Sequence, residues 1–218
     1  MAESNPAQKK NNGGCRIYFG PMASGKTTKL TSDLTRCHDS GQSVIYINHL
    51  DDQRKTKSKE GIVTTHSSGN SRLSPDIPQF SLKNLTEVEN LIDLDTVSII
   101  GIDEGQFFAN IVEVVREWIL TKGKRVIISS LATSSEGNPI GEVNKLIGFC
   151  TLWEDGNPPI QMCMANCKLC DEIEATTLVP APFTIFKGVK TEAKEIAGLD
   201  KYTPACLDCF QKHTQLMK

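Results

Sequence analysis

No run in this 218-residue chain approaches the roughly 18 consecutive apolar residues of a membrane span, so no transmembrane helix is expected. A bulk excess of one charge is also missing: 24 Lys and Arg stand against 26 Asp and Glu, with no long block of either sign. That balance argues against a global basic footprint for nucleic acid and leaves small phosphorylated ligands open. Residues 1–14 (MAESNPAQKKNNGG) lack the apolar h-region of a signal peptide and read as a polar, disordered arm. No internal repeat is present, and none of His38, His49, His66 and His213 is paired at metal-ligand spacing. The expectation is a soluble, cytoplasmic protein without nucleic-acid or membrane partners.

What is present is a phosphate loop. Residues 20–27 read Gly20, Pro21, Met22, Ala23, Ser24, Gly25, Lys26, Thr27, a complete G-x-x-x-x-G-K-[ST] motif placed directly after the apolar run Ile17, Tyr18, Phe19. Gly20 and Gly25 permit backbone angles that a Cβ obstructs, so successive N–H groups can turn inward around phosphate oxygens. Lys26 is placed to reach the β/γ phosphates and Thr27 to offer a hydroxyl to Mg²⁺. A nucleoside triphosphate is the leading ligand, and the loop alone names no reaction.

The length suits one α/β domain with a small appendage. After the loop a helix is expected from Thr27 to about Ser40, its N-terminus facing the phosphates, with Gly41 ending it. Ser43–Asn48, Val97–Asp103 and Lys124–Ala132 read as strands. Leu85, Val88, Leu91 and Ile92 fall at helical spacing within Leu82–Leu94, and Ile111, Val114, Val115, Trp118 and Ile119 mark one face of a further helix. Strands alternating with helices imply a central, mainly parallel sheet flanked by helices, with nucleotide at the strands' carboxyl ends. His49 to Gln79 is polar and too long for a simple connection, which leaves a functional lid or a disordered insertion. From about Gln161 the chain becomes rich in Cys, Pro and Thr. The expected division is an arm over 1–14, a nucleotide-binding domain over 15–160, a small zinc-binding lobe over 161–211 and a tail over 212–218.

Asp103 closes an apolar strand, a position from which a carboxylate holds Mg²⁺ opposite Thr27. Glu104 follows it, and by spacing alone either faces a nucleophile or is an exposed loop acid. Eight cysteines without a secretory signal point to metal ligation or buried thiols rather than disulfides. Cys167-x-x-Cys170 and Cys206-x-x-Cys209 supply two thiolate pairs suited to a closed tetrahedral structural Zn²⁺ site. Roughly 35 residues separate the pairs, more than the usual ribbon spacing of about 15–20, so an inserted hairpin or loop is expected between them. Redox or unligated thiols are the alternative. Cys163 could compete as a ligand, while Cys15, Cys37 and Cys150 read as core residues.

Together GPMASGKT (20–27), IDEGQFF (102–108), ANCKLC (165–170) and EIAGLDKYTPACLDCF (195–210) resemble the zinc-containing, type II class of thymidine kinases, in order and spacing, from about Cys15 to Phe210. The resemblance implies ATP and Mg²⁺ at the phosphate loop, structural Zn²⁺ in the lobe, and phosphorylation of the 5′-hydroxyl of thymidine for nucleoside salvage. It makes Glu104 the general base, gives Lys26, Thr27 and Asp103 the phosphate and metal positions, and makes Arg54 the arginine of the flexible loop near the phosphates. Met22, Phe107, Leu131, Thr177 and Tyr202 match residues around the thymine or its sugar. Similar enzymes are homotetramers.

The departures cluster on the substrate side. Ala23 stands where the phosphate loop usually carries a bulky aromatic, and Ser135 and Ile140 stand where relatives bring two phenylalanines to the base. Ser67, Val179 and Ala197 replace an acid, a basic residue and a glycine of the pattern. The aromatic wall is reduced. A related pyrimidine deoxynucleoside kinase with altered base preference, or a kinase-derived nucleotide-binding protein with little turnover, stays open beside the thymidine kinase reading.

Overall fold

Four apolar stretches and two unforeseen strands assemble into a single sheet. The computed structural model describes residues 13–51, 73–170, 178–187 and 201–216. Its strands are β1 (Gly14–Gly20), β2 (Val44–His49), β3 (Gln79–Leu82), β4 (Ile99–Asp103), β5 (Arg125–Leu131) and β6 (Ile160–Met162), in the order β3-β2-β4-β5-β1-β6. Every neighbouring pair is parallel. All residues of β1, β2 and β4 are buried, as expected for strands covered on both faces.

Strand alternation divides the interior into two layers. Ile17, Ile45, Ile47, Ile100, Ile102, Val126 and Ile128 face helix α2 (Ile111–Leu120), whose Val115 and Trp118 are fully buried against them. Tyr18, Val44, Tyr46, Ile99 and Ile127 face helix α1 (Lys26–Asp39) through Leu30 and Leu34. Gly101 lies under α1, where an added Cβ would sit 2.3 Å from Leu34 Cδ1. One charge is built into this layer. Arg16, fully buried in β1, lies 4.4 Å from the Trp153 ring centroid and pairs with Asp33 of α1 at 2.9 Å and with Asp155 at 2.6 Å. Its guanidinium holds the Asp155 carboxyl well below the usual carboxylate range.

The expected strands and helices are found within two residues at each end, with two exceptions. Leu82–Leu94 is not one α-helix: Leu82 ends β3, and two 3-10 turns follow at Leu85–Asn90 and Leu94–Thr96. Asn84 and Glu87 close a capping box on the first turn and Asp93 caps the second, so the chain restarts twice. Leu85, Val88 and Leu91 are spaced by three, which fits a 3-10 turn as well as an α-helix. The second exception is that β3 and β6 are not among the expected strands; β6 runs across residue 160 and flanks β1.

Beyond β6 come two antiparallel pairs, β7 (Ala165–Asn166) with β8 (Pro180–Ala181) and β9 (Phe183–Phe186) with β10 (Tyr202–Ala205), then helix α3 (Leu207–Leu216). β8, β9 and β10 lie in the stretch between the cysteine pairs, where an insertion is expected. The expected arm apart from Gly13 and Gly14, and most of the candidate lid, fall on residues 1–12 and 52–72, outside the described residues; Ile77, near the end of that polar segment, is buried in the α1 layer. No helix among the described residues is long and apolar enough to cross a membrane.

Gly101→Ala should lower stability by about 1–3 kcal/mol through overpacking, and Leu34→Ala by about 2–5 kcal/mol through the cavity it leaves. The double variant should lose less than the sum, because the smaller residue 34 accommodates the new methyl. Urea midpoints of the four proteins measure this, and strict additivity would show that the close approach carries no such coupling.

Candidate active site and cysteine cluster

Because the sheet is parallel, Gly20, His49, Asp103 and Leu131 end their strands at one edge. There the chain leaves β1 in a tight loop. A Cβ on Gly20 would fall 2.2 Å from the Cys163 carbonyl oxygen and 2.7 Å from Ser24 Oγ. Gly25 is left-handed at φ 80°, and so is Ala23 at φ 59°. For alanine that conformation costs on the order of 1–3 kcal/mol. Helix α1 begins at Lys26 with no side-chain cap and no acid in its first turn, so its positive end is not neutralised from within. The Lys26 ammonium, nearly buried, donates to the Pro21 carbonyl at 2.6 Å, and Ser24 Oγ donates to the same oxygen at 2.9 Å.

Asp103, 1% exposed, collects donors from four directions. Thr27 Oγ1 donates to Oδ1 at 3.1 Å, as does the Glu104 N–H at 3.1 Å, and the Ser129 hydroxyl reaches the same atom. Tyr46 donates its phenol to Oδ2 at 2.8 Å. The next residue turns sharply. Glu104 is left-handed at φ 54° and, with Ala23, is one of two non-glycine residues of positive φ among the described residues. It is only 5% exposed, which excludes the exposed-loop alternative. Gln106 Nε2 donates to Glu104 Oε2 at 2.6 Å, and Gln106 Oε1 accepts the Leu131 N–H at 3.0 Å.

Phe107 closes the 3-10 turn Gly105–Phe107, its ring 5.7 Å from that of the buried His49. Met22 donates its N–H to Thr184 Oγ1 of β9 at 2.9 Å, which ties the glycine loop to β9. Tyr202 opens β10 opposite Phe186, ring centroids 5.2 Å apart. Arg54 and Thr177 lie outside the described residues.

Sequence reasoning passed over Gln106, Ser129, Tyr46 and Thr184. Signals existed for two of them. Ser129-Ser130 is a polar pair at the end of an apolar strand, next in register to Asp103, and Gln106 belongs to the IDEGQFF motif but received no role. Thr184 carried no local signal, since only the tertiary fold brings it to Met22.

The four predicted cysteine ligands converge. Cys167 follows β7, Cys170 closes its turn, Cys206 follows β10, and Cys209 lies in the first turn of α3. Their sulfurs all lie within 4.8 Å of one another, with Cys170 Sγ 3.6 Å from both Cys206 and Cys209. Four sulfurs at the Zn–S distance of about 2.3 Å in a tetrahedron stand roughly 3.7 Å apart, so the cluster is compatible with zinc. Burial opposes ionisation of Cys167, but N–H groups of Cys206 and Leu169 donate to its sulfur and bring the thiol down to about 7. Cys163 is no competitor: it is buried in the α1 layer, its N–H bonded to the Phe19 carbonyl at 2.7 Å. Cys15 and Cys150 are free thiols with sulfurs 3.2 Å apart; Cys15 is fully buried in the α2 layer, and Cys150 packs against it.

Residues 13–210 match the family model described as thymidine kinase. The thymidine kinase of raccoon poxvirus is 30% identical over 201 residues, covering 92% of this chain and 98% of the relative. That of fowlpox virus (strain NVSL) is 32% identical over 206 residues, covering 92% and 98%, and the cytosolic thymidine kinase of Bos taurus is 28% identical over 203 residues, covering 93% and 74%. An α/β sheet with a glycine loop at one strand end and a carboxylate pair at another is the frame of a nucleotide-dependent kinase. The chain belongs to the thymidine kinase family.

The two glycines of the loop separate two physical demands. Nothing lies within 4 Å of a Cβ added to Gly25, so Gly25→Ala should cost only the left-handed strain, about 1–2 kcal/mol. Gly20→Ala meets backbone and should cost more, whereas Ala23→Gly should be neutral or stabilising. Thermal denaturation of the three variants tests the ranking, and equal losses at 20 and 25 would contradict it.

Proposed function

We propose that this protein transfers the γ-phosphoryl group of ATP to the 5′-hydroxyl of thymidine, in the cytoplasm, as a step of nucleoside salvage. The observation that carries the proposal is the pair Asp103 and Glu104 at the end of β4, with Asp103 bonded to Thr27 of the glycine loop, in a chain whose family match spans residues 13–210. In this reading the backbone of Gly20–Thr27, the N-terminus of α1 and Lys26 hold the donor phosphates. Thr27 Oγ1 and Asp103, oxygen donors 3.1 Å apart, suit Mg²⁺, which when bound offsets charge on the phosphates. The resemblance assigns Arg54, which lies outside the described residues, to the phosphates.

Glu104 takes the proton of the 5′-hydroxyl while that oxygen bonds to phosphorus and the bridge to ADP breaks. Met22, Phe107, Leu131, Thr177 and Tyr202 line the nucleoside site, with Thr184 holding the Met22 backbone. Cys167, Cys170, Cys206 and Cys209 would hold a structural Zn²⁺. The resemblance also supports a homotetramer.

Coupled ADP release with thymidine, deoxyuridine, deoxycytidine and no acceptor tests the assignment, and thymidine should give the largest kcat/KM. A different preferred nucleoside would follow from the smaller residues Ala23 and Ser135 in the wall of the base site. Acceptor-independent release alone would remove the kinase reading.

Glu104→Gln should abolish most turnover and leave ATP affinity within about threefold, since it removes a proton acceptor and touches no phosphate. Near-normal kcat in the purified variant would contradict that role. Elemental analysis should give one zinc per chain, and Cys206→Ser should lose it together with the fold of the lobe, because metal binding there is folding energy. Metal-free protein with an intact lobe would overturn the zinc assignment.

A further inference from the structure

We infer that Gln106 is the positioning residue of the reaction: its side-chain amide clamps the Glu104 carboxylate in the orientation from which it takes the nucleoside proton. The inference rests on Glu104 as proton acceptor.

The two ends of an amide are distinguished by their partners. The Leu131 backbone N–H can only donate, so the atom 3.0 Å from it is Oε1. Nε2 is thereby turned to Glu104 Oε2, 2.6 Å away, as a donor. The Ser130 hydroxyl, 3.1 Å from Oε1 and 3.0 Å from the Leu131 carbonyl, can donate or accept and is compatible with that orientation without deciding it. A flip of the amide would set N–H against N–H at Leu131 and oxygen against a carboxylate at Glu104.

The backbone that carries Gln106 is held from both sides. A Cβ on Gly141, itself at φ +64°, would stand 2.6 Å from Gln106 O and 2.7 Å from its Cα, and one on Gly105 would stand 2.7 Å from Ile128 Cγ2. Gln106 thus links the end of β5, rigid in the sheet, to a carboxylate on a left-handed residue. Glu104 lies outside the regular strand, so its direction depends on such a partner. In the reaction the hydroxyl proton passes to Glu104 as the new O–P bond forms and the bond to ADP breaks; Gln106 exchanges no proton.

The test uses the full chain with Gln106→Glu, which keeps an acceptor for Leu131 but removes the donor, and Gln106→Met, which is uncharged and of similar length. In each variant kcat for thymidine should fall on the order of 10- to 100-fold while KM for ATP and for thymidine stays within about threefold. Unchanged ATP affinity and melting temperature identify a folded variant. A kcat within about twofold of the parent in either folded variant would overturn the inference, as would raised KM and lowered melting temperature with kcat intact, the pattern of a packing role. Glu104→Gln, assayed in parallel, separates the two readings. If it is inactive while both Gln106 variants turn over normally, Gln106 alone is misassigned; if it is active, the role of Glu104 fails and this inference with it.

Discussion

A carboxylate shut away from water must be met by donors, and Asp103 is met by Thr27, Tyr46, Ser129 and the Glu104 N–H. These come from α1, β2, β5 and the turn after β4, so one side chain fixes the relative height of three strand ends and the first helix. The rest of the edge depends on that registration. Thr27 is held toward the acid, the glycine loop is held by α1, and the chain can turn at Glu104 because the preceding residue is anchored.

β1, β2, β4 and β5 were legible because each has an apolar run at its centre, and α2 because its five buried apolar residues follow the helical period. The weaker elements were obscured for identifiable reasons. β3 is four residues of mixed burial, QFSL, at the end of a polar stretch. β6, with Ile160 and Met162 exposed, has none of the apolar continuity that marks the interior strands. The span from Leu85 to Thr96 has a three-residue spacing that two helix types share.

At the site, covalent spacing exposed what is local and missed what is not. The loop, the acid pair and the Cys-x-x-Cys pairs are short motifs whose chemistry follows from adjacency. Tyr46 reaches Asp103 from 57 positions away and Thr184 reaches Met22 across 162, and neither residue type is unusual where it stands. The lobe itself is thinly built, with β7 and β8 two residues each, and the stack of Phe183 on Phe210 at 4.3 Å joins its hairpin to α3 beside Cys209. What steadies the cysteine cluster therefore also steadies Thr184, and through it the backbone of the glycine loop.

The place of β1 in the sheet has a consequence for biosynthesis. Its neighbours are β5, with Gly14 opposite Arg125, and β6, with Ile17 opposite Ile160, both far along the chain. At ribosomal rates of about 5–20 residues per second, the strand that carries the glycine loop waits on the order of ten seconds for its second neighbour to emerge. Until β5 emerges both edges of this apolar strand stay unpaired in the nascent chain, so β1, made earliest of the six strands of the sheet, is among the last to be enclosed.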